Sequence, residues 1–392
     1  MTQETLKQDA IETYLKSEYE FQKNIVTGKP EYRFKSTNYP FRPLEDYTLN
    51  SIRRHLKADG LKIAKAELTG LINSDFTPKI DVVKEYFTHL PKPNNDTDTI
   101  NLLADTVITT NQPLWKRCFK KWLVAAVACG VDTEVVNHQI LVLVGEQGVG
   151  KTTWLHSLLP HELKGYMYSG HINPNNKDTL TTLTENLFIN LDELGGFKRN
   201  DIDSLKELIT KPSIQVRRAY AVYAENYVRR ASFMGSVNHF QFLSDDTGNR
   251  RFLPFTATSI TYTHNINMDE VYSLAYALYT DGFKYWFDDK EIAELQEYME
   301  QYIDTSPEQQ LIEKFLEISS KTDAYNVSTA TELALFFKKA QGLPFNQATV
   351  QRIGSTMKQL GFTRAKHQGV YKYEYKWKSN VPTISINQTN TI

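Results

Sequence analysis

The stretch Ile140-Leu-Val-Leu-Val-Gly145-Glu-Gln-Gly-Val-Gly-Lys151-Thr-Thr-Trp154 decides the expected fold of the chain. Its first five residues form a short apolar run, which predicts a buried strand. Glycines then cluster before Lys151, and Thr153–Leu159 can open a helix. A strand, a glycine-rich turn and a helix in this order favour a layered α/β core with a mainly parallel sheet.

Residues 145–153 fit the pattern G-x-x-x-x-G-K-[ST] in full. Glycines let backbone N–H groups turn toward phosphate oxygens, the helix start adds the positive end of its dipole, the lysine supplies a point charge, and the Thr152 hydroxyl is a ligand for Mg²⁺. Glycine-rich turns also occur without ligands, but those turns do not place Lys-Thr at the head of a helix. We therefore predict a site for ATP and Mg²⁺, formed by Gly145, Glu146, Gln147, Gly148, Val149, Gly150, Lys151, Thr152 and Thr153.

Two acids follow a second apolar run, Leu187–Leu191. Carboxylates at the C-terminal end of a buried strand point toward the ligand crevice of an open α/β sheet. In that position Asp192 is predicted to hold Mg²⁺, and Glu193 to orient and deprotonate the attacking water. The simpler alternative is a strand that ends in a solvated turn. The presence of Lys151 in the same α/β unit favours the metal and base roles.

Further polar candidates follow the apolar run Ala231–Val237. Asn238 can reach the γ-phosphate or the lytic water, or it can simply cap the strand end. Arg250 and Arg251 come after a glycine turn, and adjacent arginines there suit an arginine finger, which stabilises charge on the transferring phosphoryl group. A surface ion pair is the alternative. A finger supplied in trans requires a neighbouring subunit, and the sequence does not say which arginine reaches the phosphate.

A basic hairpin that carries tyrosines is predicted at Ser213–Phe233. Basic side chains follow the phosphates of a nucleic acid, and tyrosines stack on bases for about 1–3 kcal/mol each. Ion pairs between subunits are the alternative role for these charges. Arg229 and Arg230, close to the core strand, are expected to be structural or interfacial. The residues predicted to bind DNA are Lys211, Arg217, Arg218, Tyr220 and Tyr223.

Changes in the predicted secondary structure along the chain indicate three domains and a tail. Residues 1–97 mix short helical pieces with turns, which favours a mostly helical N-terminal domain. Residues 98–304 hold the α/β core. Residues 305–378 predict two helices and a hairpin, the element order of a winged helix. Residues 379–392 carry no charge and no pattern, so a mobile tail is expected there.

The third unit is also basic, since seven Lys or Arg residues between Gln351 and Lys378 oppose only Glu374. A winged helix docks its second helix, here Gln347–Leu360, in the major groove of duplex DNA. The alternative is a small basic domain that packs on the core.

The composition is that of a globular protein, with 392 residues, 41% hydrophobic and 23% charged. The net charge of −1 means that any nucleic acid must be bound by local basic patches. Cys118 and Cys129 cannot form a disulfide scaffold and fit a reducing compartment. Met1–Glu20 is too charged for a secretory signal, and the longest apolar stretch is too short for the ~20 residues of a spanning helix. We expect a cytoplasmic protein with no membrane partner.

The phosphate loop, the Leu-Asp-Glu strand, the Asn-ended strand and the Arg-Arg pair follow one another within residues 145–251. This order resembles the superfamily 3 helicase branch of AAA+ ATPases. It resembles still more closely the virulence-associated protein E family, whose members are encoded by bacteria, phages and mobile elements. The closer resemblance rests on Trp122-Leu-Val, Gly145-Glu-Gln-Gly-Val-Gly-Lys-Thr-Thr-Trp154, Asn190-Leu-Asp-Glu-Leu194, Arg229-Arg-Ala-Ser-Phe233, Gly235-Ser-Val-Asn238 and Thr247-Gly-Asn-Arg-Arg-Phe252.

The resemblance implies an AAA+ type P-loop core and a replicative, DNA-translocating ATPase in the bacterial cytoplasm. It also implies a homo-oligomeric ring, with a hexamer as the expected form. In superfamily 3 helicases a hairpin at the place of Ser213–Phe233 projects into the ring pore and grips single-stranded DNA. Members of the family are often joined to a primase domain. Residues 1–97 show no acidic primase-like strand motif, so a primase is expected as a separate partner.

The function expected from the sequence is an ATP-dependent DNA motor, a replicative helicase of a phage or mobile element. Two alternatives stay open. One is an ATP-regulated DNA-binding initiator that recruits a separate helicase, and the other is a P-loop phosphotransferase.

Overall fold

The computed structural model describes residues 3–94, 96–173, 176–192, 194, 199–218, 223–238, 243, 249–303, 306–319 and 325–378. The chain is a mixed α/β protein that divides into two compact units, Met1–Tyr302 and Ile303–Ile392. In the described part of the chain no helix is long and apolar enough to cross a membrane.

The N-terminal part of the first unit combines four helices with a small sheet. The helices are α1 (Gln3–Glu18), α2 (Asp46–Ala58), α3 (Lys65–Ile72) and α4 (Val82–His89). The strands are β1 (Tyr19–Asn24), β2 (Pro30–Phe34), β3 (Arg42–Pro43) and β4 (Lys79–Ile80), in the order β3-β2-β1-β4. The sequence predicts the helical pieces but not this sheet, because β3 and β4 are two residues long and β1 continues α1 without a break.

The rest of the first unit surrounds a six-stranded sheet. Its strands are β5 (Val107–Thr109), β6 (Ile140–Val144), β7 (Met167–Ser169), β8 (Phe188–Leu191), β11 (Ser232–Val237) and β12 (Phe252–Ile260). A separate hairpin consists of β9 (Ser213–Val216) and β10 (Glu225–Val228). The helices are α5 (Thr99–Ala104), α6 (Gln112–Val131), α7 (Lys151–Ser157), α8 (Lys177–Glu185), α9 (Arg199–Thr210), α10 (Met268–Thr280) and α11 (Asp289–Met299).

The strand order in the large sheet is β5-β12-β6-β11-β8-β7. Strands β12, β6, β11, β8 and β7 are parallel to their neighbours, and only the edge strand β5 is antiparallel. Every residue of β6, β8 and β11 is buried, which explains why these strands read as continuous apolar runs. The mainly parallel sheet expected from the sequence is therefore present.

Helix α6 supplies the aromatic part of the core. The rings of Trp115, Phe119 and Trp122 are at most 1% exposed and stack in sequence along the helix. The indole N–H of Trp122 donates to the Phe233 oxygen of β11 at 3.2 Å, which fastens the helix to the sheet. Cys118 and Cys129 lie on the same helix, free and buried.

The second unit has its own core and sheet. Its elements are α12 (Pro307–Phe315), β13 (Leu316–Glu317), β14 (Asn326–Ser328), α13 (Ala330–Gln341), α14 (Gln347–Gln359), β15 (Arg364–His367) and β16 (Val370–Trp377). Strand β16 pairs with β13, β14 and β15. Gln368 and Gly369 have φ values of 49° and 84°, as a tight hairpin turn requires. The helix, helix, hairpin order predicted for this unit is present, and the expected mobile tail lies outside the described residues.

Candidate nucleotide and nucleic-acid site

The loop from β6 to α7 has the backbone that its glycines predict. Gly148 and Gly150 have φ values of 90° and 94°, in the left-handed region that costs other residues about 1–2 kcal/mol. Gly150 is the N-cap residue of α7. The ring of Tyr262 packs against it so closely that a Cβ there would lie 2.3 Å from the ring. Glycine is therefore required at position 150 by both conformation and space.

Lys151 points back into this loop. Its side-chain nitrogen donates to the backbone oxygens of Gly145 and Glu146 at 2.7 Å each, and to Asn238 Oδ1 at 3.0 Å. The residue is 5% exposed, and burial lowers the pKa of its ammonium group. All three partners are neutral oxygens, so they leave the positive charge uncancelled at the loop.

The hydroxyl of Thr152 lies 3.4 Å from the Ser236 hydroxyl on β11, and both Thr152 and Thr153 are exposed. An exposed threonine hydroxyl, an uncancelled ammonium charge and glycines in the left-handed region form the set of groups that a magnesium triphosphate requires. The residues present therefore fit this group.

Asp192 follows the C-terminal end of β8, and the loop follows the C-terminal end of β6, so both lie at the same end of the parallel strands. β6 and β8 both run parallel to β11, and Val144 and Leu191 at their ends pair with Val237 and Gly235. The Asp192 carboxylate accepts a hydrogen bond from Asn190 Nδ2 at 2.9 Å. Glu193, the predicted base, lies outside the described residues.

Arg250 and Arg251 lie at the opposite, N-terminal end of the parallel strands. They belong to a short turn just before β12, whose first residue, Phe252, pairs with Ile140 at the start of β6. The backbone oxygen of Arg250 accepts from Gln139 Nε2 at 3.4 Å. Burial and the neighbouring Arg250 lower the pKa of Arg251. The length of β6, about 16 Å at ~3.3 Å per residue, separates these arginines from the loop of the same chain.

A hairpin is present as β9 and β10, which pair antiparallel, but it ends at Val228, and Ser232 and Phe233 at the end of the predicted range belong to β11 of the large sheet. Arg217 is exposed and Tyr223 is 76% exposed, so both can contact a ligand. Lys211, at the base of the hairpin, pairs with Glu207 at 2.9 Å on the surface. Tyr220 lies outside the described residues.

Arg218 takes a different course from the one that DNA binding requires. Its guanidinium donates to the Val26 oxygen at 2.8 Å, lies 3.6 Å from the Glu185 carboxylate and stacks 3.9 Å from the centre of the Tyr227 ring. Its side chain is 11% exposed. Arg218 therefore joins the hairpin to the N-terminal part of the chain, and its guanidinium is directed away from a DNA ligand.

Arg229 and Arg230 are structural, as their place near the core strand predicts. Arg230 pairs with Asp81 at 2.5 Å. Arg229 is 0% exposed, and burial lowers its pKa to about 10. Its guanidinium donates to the backbone oxygens of Lys211, Ala231 and Asn137.

A family model described as the virulence-associated protein E-like domain matches residues 92–304, more than half of the chain. The chain belongs to this family.

Among solved structures, the apo structure of the NrS-1 C-terminal region is similar over 93% of this chain and 97% of that chain, with 13% identity and a TM-score of 0.51. A second structure of that region, its A form, covers 94% and 98%, with 14% identity and a TM-score of 0.49. The first of these shows a shared fold. No curated protein matches the sequence.

In this member of the family, one polar cluster at the site was missed by sequence reasoning. Asn190 is 0% exposed on β8, and its amide nitrogen contacts Ser169 Oγ at 3.2 Å and His156 Nε2 at 3.4 Å. Ser169 and His156 share a hydrogen bond of 2.7 Å. The cluster joins the ends of β7 and β8 to α7. Its signals in the sequence are an asparagine inside an otherwise apolar run and the place of that asparagine at the start of the Asn190–Leu194 segment.

Proposed function

We propose that this chain is a DNA-dependent ATPase with an AAA+ type P-loop core, a replicative motor of a phage or mobile genetic element in the bacterial cytoplasm. The proposal rests on a single observation. Lys151, Asn238 and Asp192 follow the C-terminal ends of neighbouring parallel strands. A full P-loop with a free cationic charge, next to a strand-end carboxylate, is the arrangement that phosphoryl transfer requires.

ATP and Mg²⁺ are the proposed cofactors. Lys151 binds the β- and γ-phosphates, and Thr152 and Asp192 hold the metal ion. Mg²⁺, when bound, neutralises charge that develops on the phosphate oxygens. Glu193 orients and deprotonates the attacking water, and Asn238 positions that water or the γ-phosphate.

A ring of identical subunits, a hexamer in this proposal, completes the site. Arg250 and Arg251 are a strand's length from their own loop, so they favour a finger that serves the neighbouring subunit. Arg217, Tyr223 and Lys211 contact single-stranded DNA in the pore, and the basic second unit contacts duplex DNA as a winged helix. Priming belongs to a separate partner.

The test is phosphate release by the purified chain with and without single-stranded DNA. We expect DNA to stimulate release and Lys151→Ala to abolish it, while Asp192→Asn keeps nucleotide binding and loses turnover. Lys57→Ala, which removes an exposed lysine of α2, is the control and should match the wild type. Normal hydrolysis by Lys151→Ala would disprove the proposal, and strand separation on a forked duplex separates a motor from an initiator.

A further inference from the structure

A cavity of about 460 Å³ opens beside α7, next to the phosphate loop. Thr153, His156 and Ser157 line it from the helix, and Met167, Ser169 and Tyr262 line it from neighbouring segments. Thr153 is two residues beyond Lys151, about 3 Å along the helix axis. The volume lies within the ~300–1,000 Å³ range of small-molecule sites. A ligand that extends from the loop can therefore enter this cavity directly.

Tyr262 gives the cavity an aromatic wall. Its ring is held on the loop by contact with Gly150, while the residue remains 48% exposed. Tyrosine is planar and has few rotatable bonds, and its face stacks on a nucleobase of any kind. A fixed and accessible ring beside a phosphate loop is thus suited to a base.

Polar groups around the cavity match the edges of a nucleoside. His156 and Ser157 line it from α7, and Ser169 lines it from the end of β7. The Ser157 hydroxyl donates to the Trp154 backbone oxygen at 2.7 Å, which leaves its oxygen able to accept from a nucleoside, and Ser169 Oγ is hydrogen-bonded to His156 Nε2 and Asn190 Nδ2.

The charge of the cavity favours the same occupant. Its lining residues include Lys164 and no carboxylate. The apolar side chains of Leu159 and Met167 complete the walls. A mainly neutral pocket with one cation and an aromatic ring suits a nucleoside attached to phosphates better than a metal ion or a basic peptide.

We propose that this cavity binds the nucleoside part of the nucleotide whose phosphates lie on the loop, with Tyr262 stacked on the base. The inference rests on the proposed function and deepens it, because it assigns the base to particular residues. Tyr262 acts in binding and takes no part in the transfer of the phosphoryl group.

Two probes test it: the non-hydrolysable ATP analogue AMP-PNP, and inorganic tripolyphosphate, which has no nucleoside. We expect Tyr262→Ala to raise the Kd for AMP-PNP about 5- to 150-fold, the equivalent of one stacked base, and to leave tripolyphosphate binding unchanged. Tyr262→Phe keeps the ring and should bind AMP-PNP like the wild type. Tyr47→Ala, at an 82% exposed tyrosine of α2, is the matched control. Photolabelling of the wild type with 8-azido-ATP should mark peptides that contain Tyr262 or residues 153–169.

The outcomes separate this inference from the proposed function. If Lys151→Ala abolishes AMP-PNP binding while Tyr262→Ala leaves it intact, the cavity is not the nucleoside site and the proposed function stands. Equal loss of AMP-PNP and tripolyphosphate in Tyr262→Ala would mean that the ring only supports the loop, and would also overturn the inference. Labelling elsewhere on the chain would do the same. A wild-type protein that binds neither probe would overturn both proposals.

Discussion

The ammonium group of Lys151 is surrounded by neutral oxygens, which leave its positive charge available to an anion at the loop. Gly145 and Glu146 contribute backbone carbonyls, and Asn238 contributes an amide oxygen. A carboxylate in place of that amide would form an ion pair with Lys151 and cancel the charge. An asparagine holds the lysine in place and leaves its charge to the ligand.

Substitution of Asn238 should separate binding from turnover. We expect Asn238→Ala to lower phosphate release at least about tenfold, since a positioning group is lost, with little change in the Kd for AMP-PNP. Asn238→Asp should instead weaken AMP-PNP binding, because its carboxylate neutralises Lys151 and repels phosphate. Titration and steady-state phosphate release on the same samples measure both effects. Equal AMP-PNP affinity in the Asp and Ala variants would show that Asn238 does not act through the lysine charge.

His264 should make the folded state sensitive to acid. Burial lowers the pKa of His264 below its ordinary value of 6.5. As the pH falls through 6.5, the unfolded chain binds this proton and the folded chain does not, so the free energy of unfolding decreases until the lower folded pKa is reached.

We therefore expect His264→Gln to lose less thermal stability than the wild type between about pH 7.5 and about pH 5.5. Melting temperatures at the two pH values measure this difference. His161→Gln, at an exposed histidine, serves as the control and should keep the wild-type pH dependence. A His264→Gln protein whose melting temperature falls as steeply as that of the wild type would mean that this ring titrates normally.

Among the elements, the β9–β10 hairpin is stabilised by contacts between Arg218 and the turn that follows β1. Arg218 leaves the hairpin, binds the Val26 oxygen and passes over Gly28, in the turn between β1 and β2. Gly28 has a φ of 70°, and a Cβ there would lie 1.8 Å from a guanidinium nitrogen of Arg218. The turn therefore requires glycine for two reasons, its backbone conformation and the space that Arg218 occupies.

Gly28→Ala should cost more stability than a change of backbone conformation alone explains. Gly60→Ala is the matched control, because Gly60 has a φ of 78° and open space around its Cα. We expect Gly60→Ala to cost about 1 kcal/mol and Gly28→Ala about 2–3 kcal/mol in urea unfolding. Arg218→Ala added to Gly28→Ala should recover part of the difference. Equal losses at the two glycines would show that Arg218 does not occupy the turn in solution.

At the scale of the whole molecule, the two ends of the parallel strands carry the two groups of residues that the proposed function assigns to one site. The loop, Asp192 and Asn238 lie at the C-terminal ends of the strands, and Arg250 and Arg251 lie at the N-terminal ends. Two unlike surfaces of the same chain can meet only head to tail, and such contacts close into rings when the rotation allows it. The arrangement therefore favours a site shared between neighbouring subunits.

Mixing two inactive variants tests the shared site. Arg251→Ala retains a complete loop, and Lys151→Ala retains the arginines. In mixed rings some loops meet an intact arginine, so an equal mixture should regain up to about a quarter of the wild-type phosphate release. Arg250→Ala is tested in the same way and identifies the finger.

The control for this experiment is a mixture of Lys151→Ala with Asp192→Asn. Lys151 and Asp192 belong to the same subunit's part of the site. Every site in such a mixture therefore lacks one of these two groups, and no activity should return. If the arginine mixture likewise regains nothing, the arginines do not act in trans.

Local chemistry was enough to predict the heart of the fold. Strand β6 begins and ends where the apolar run does, and α7 begins at Lys151, two residues before the predicted start at Thr153, because a continuous apolar run and a glycine cluster are signals contained within a few residues. The structural role of Arg229 and Arg230 was predicted from their position close to the core strand. The four strands of the N-terminal sheet were not predicted, because β3 and β4 are two residues long and carry no periodicity, and β1 continues α1 without a break.

The amino-acid sequence by itself determined the glycine-rich loop and the residue types around it, since these depend on backbone freedom and charge at neighbouring positions. Only the tertiary structure decided that Arg218 turns inward, that Arg250 and Arg251 lie a strand's length from Lys151, and that Tyr262 and His264 lie beside α7. Those placements depend on which strands pair and in which direction, and strand pairing joins residues far apart in the chain whose individual identities do not specify one another.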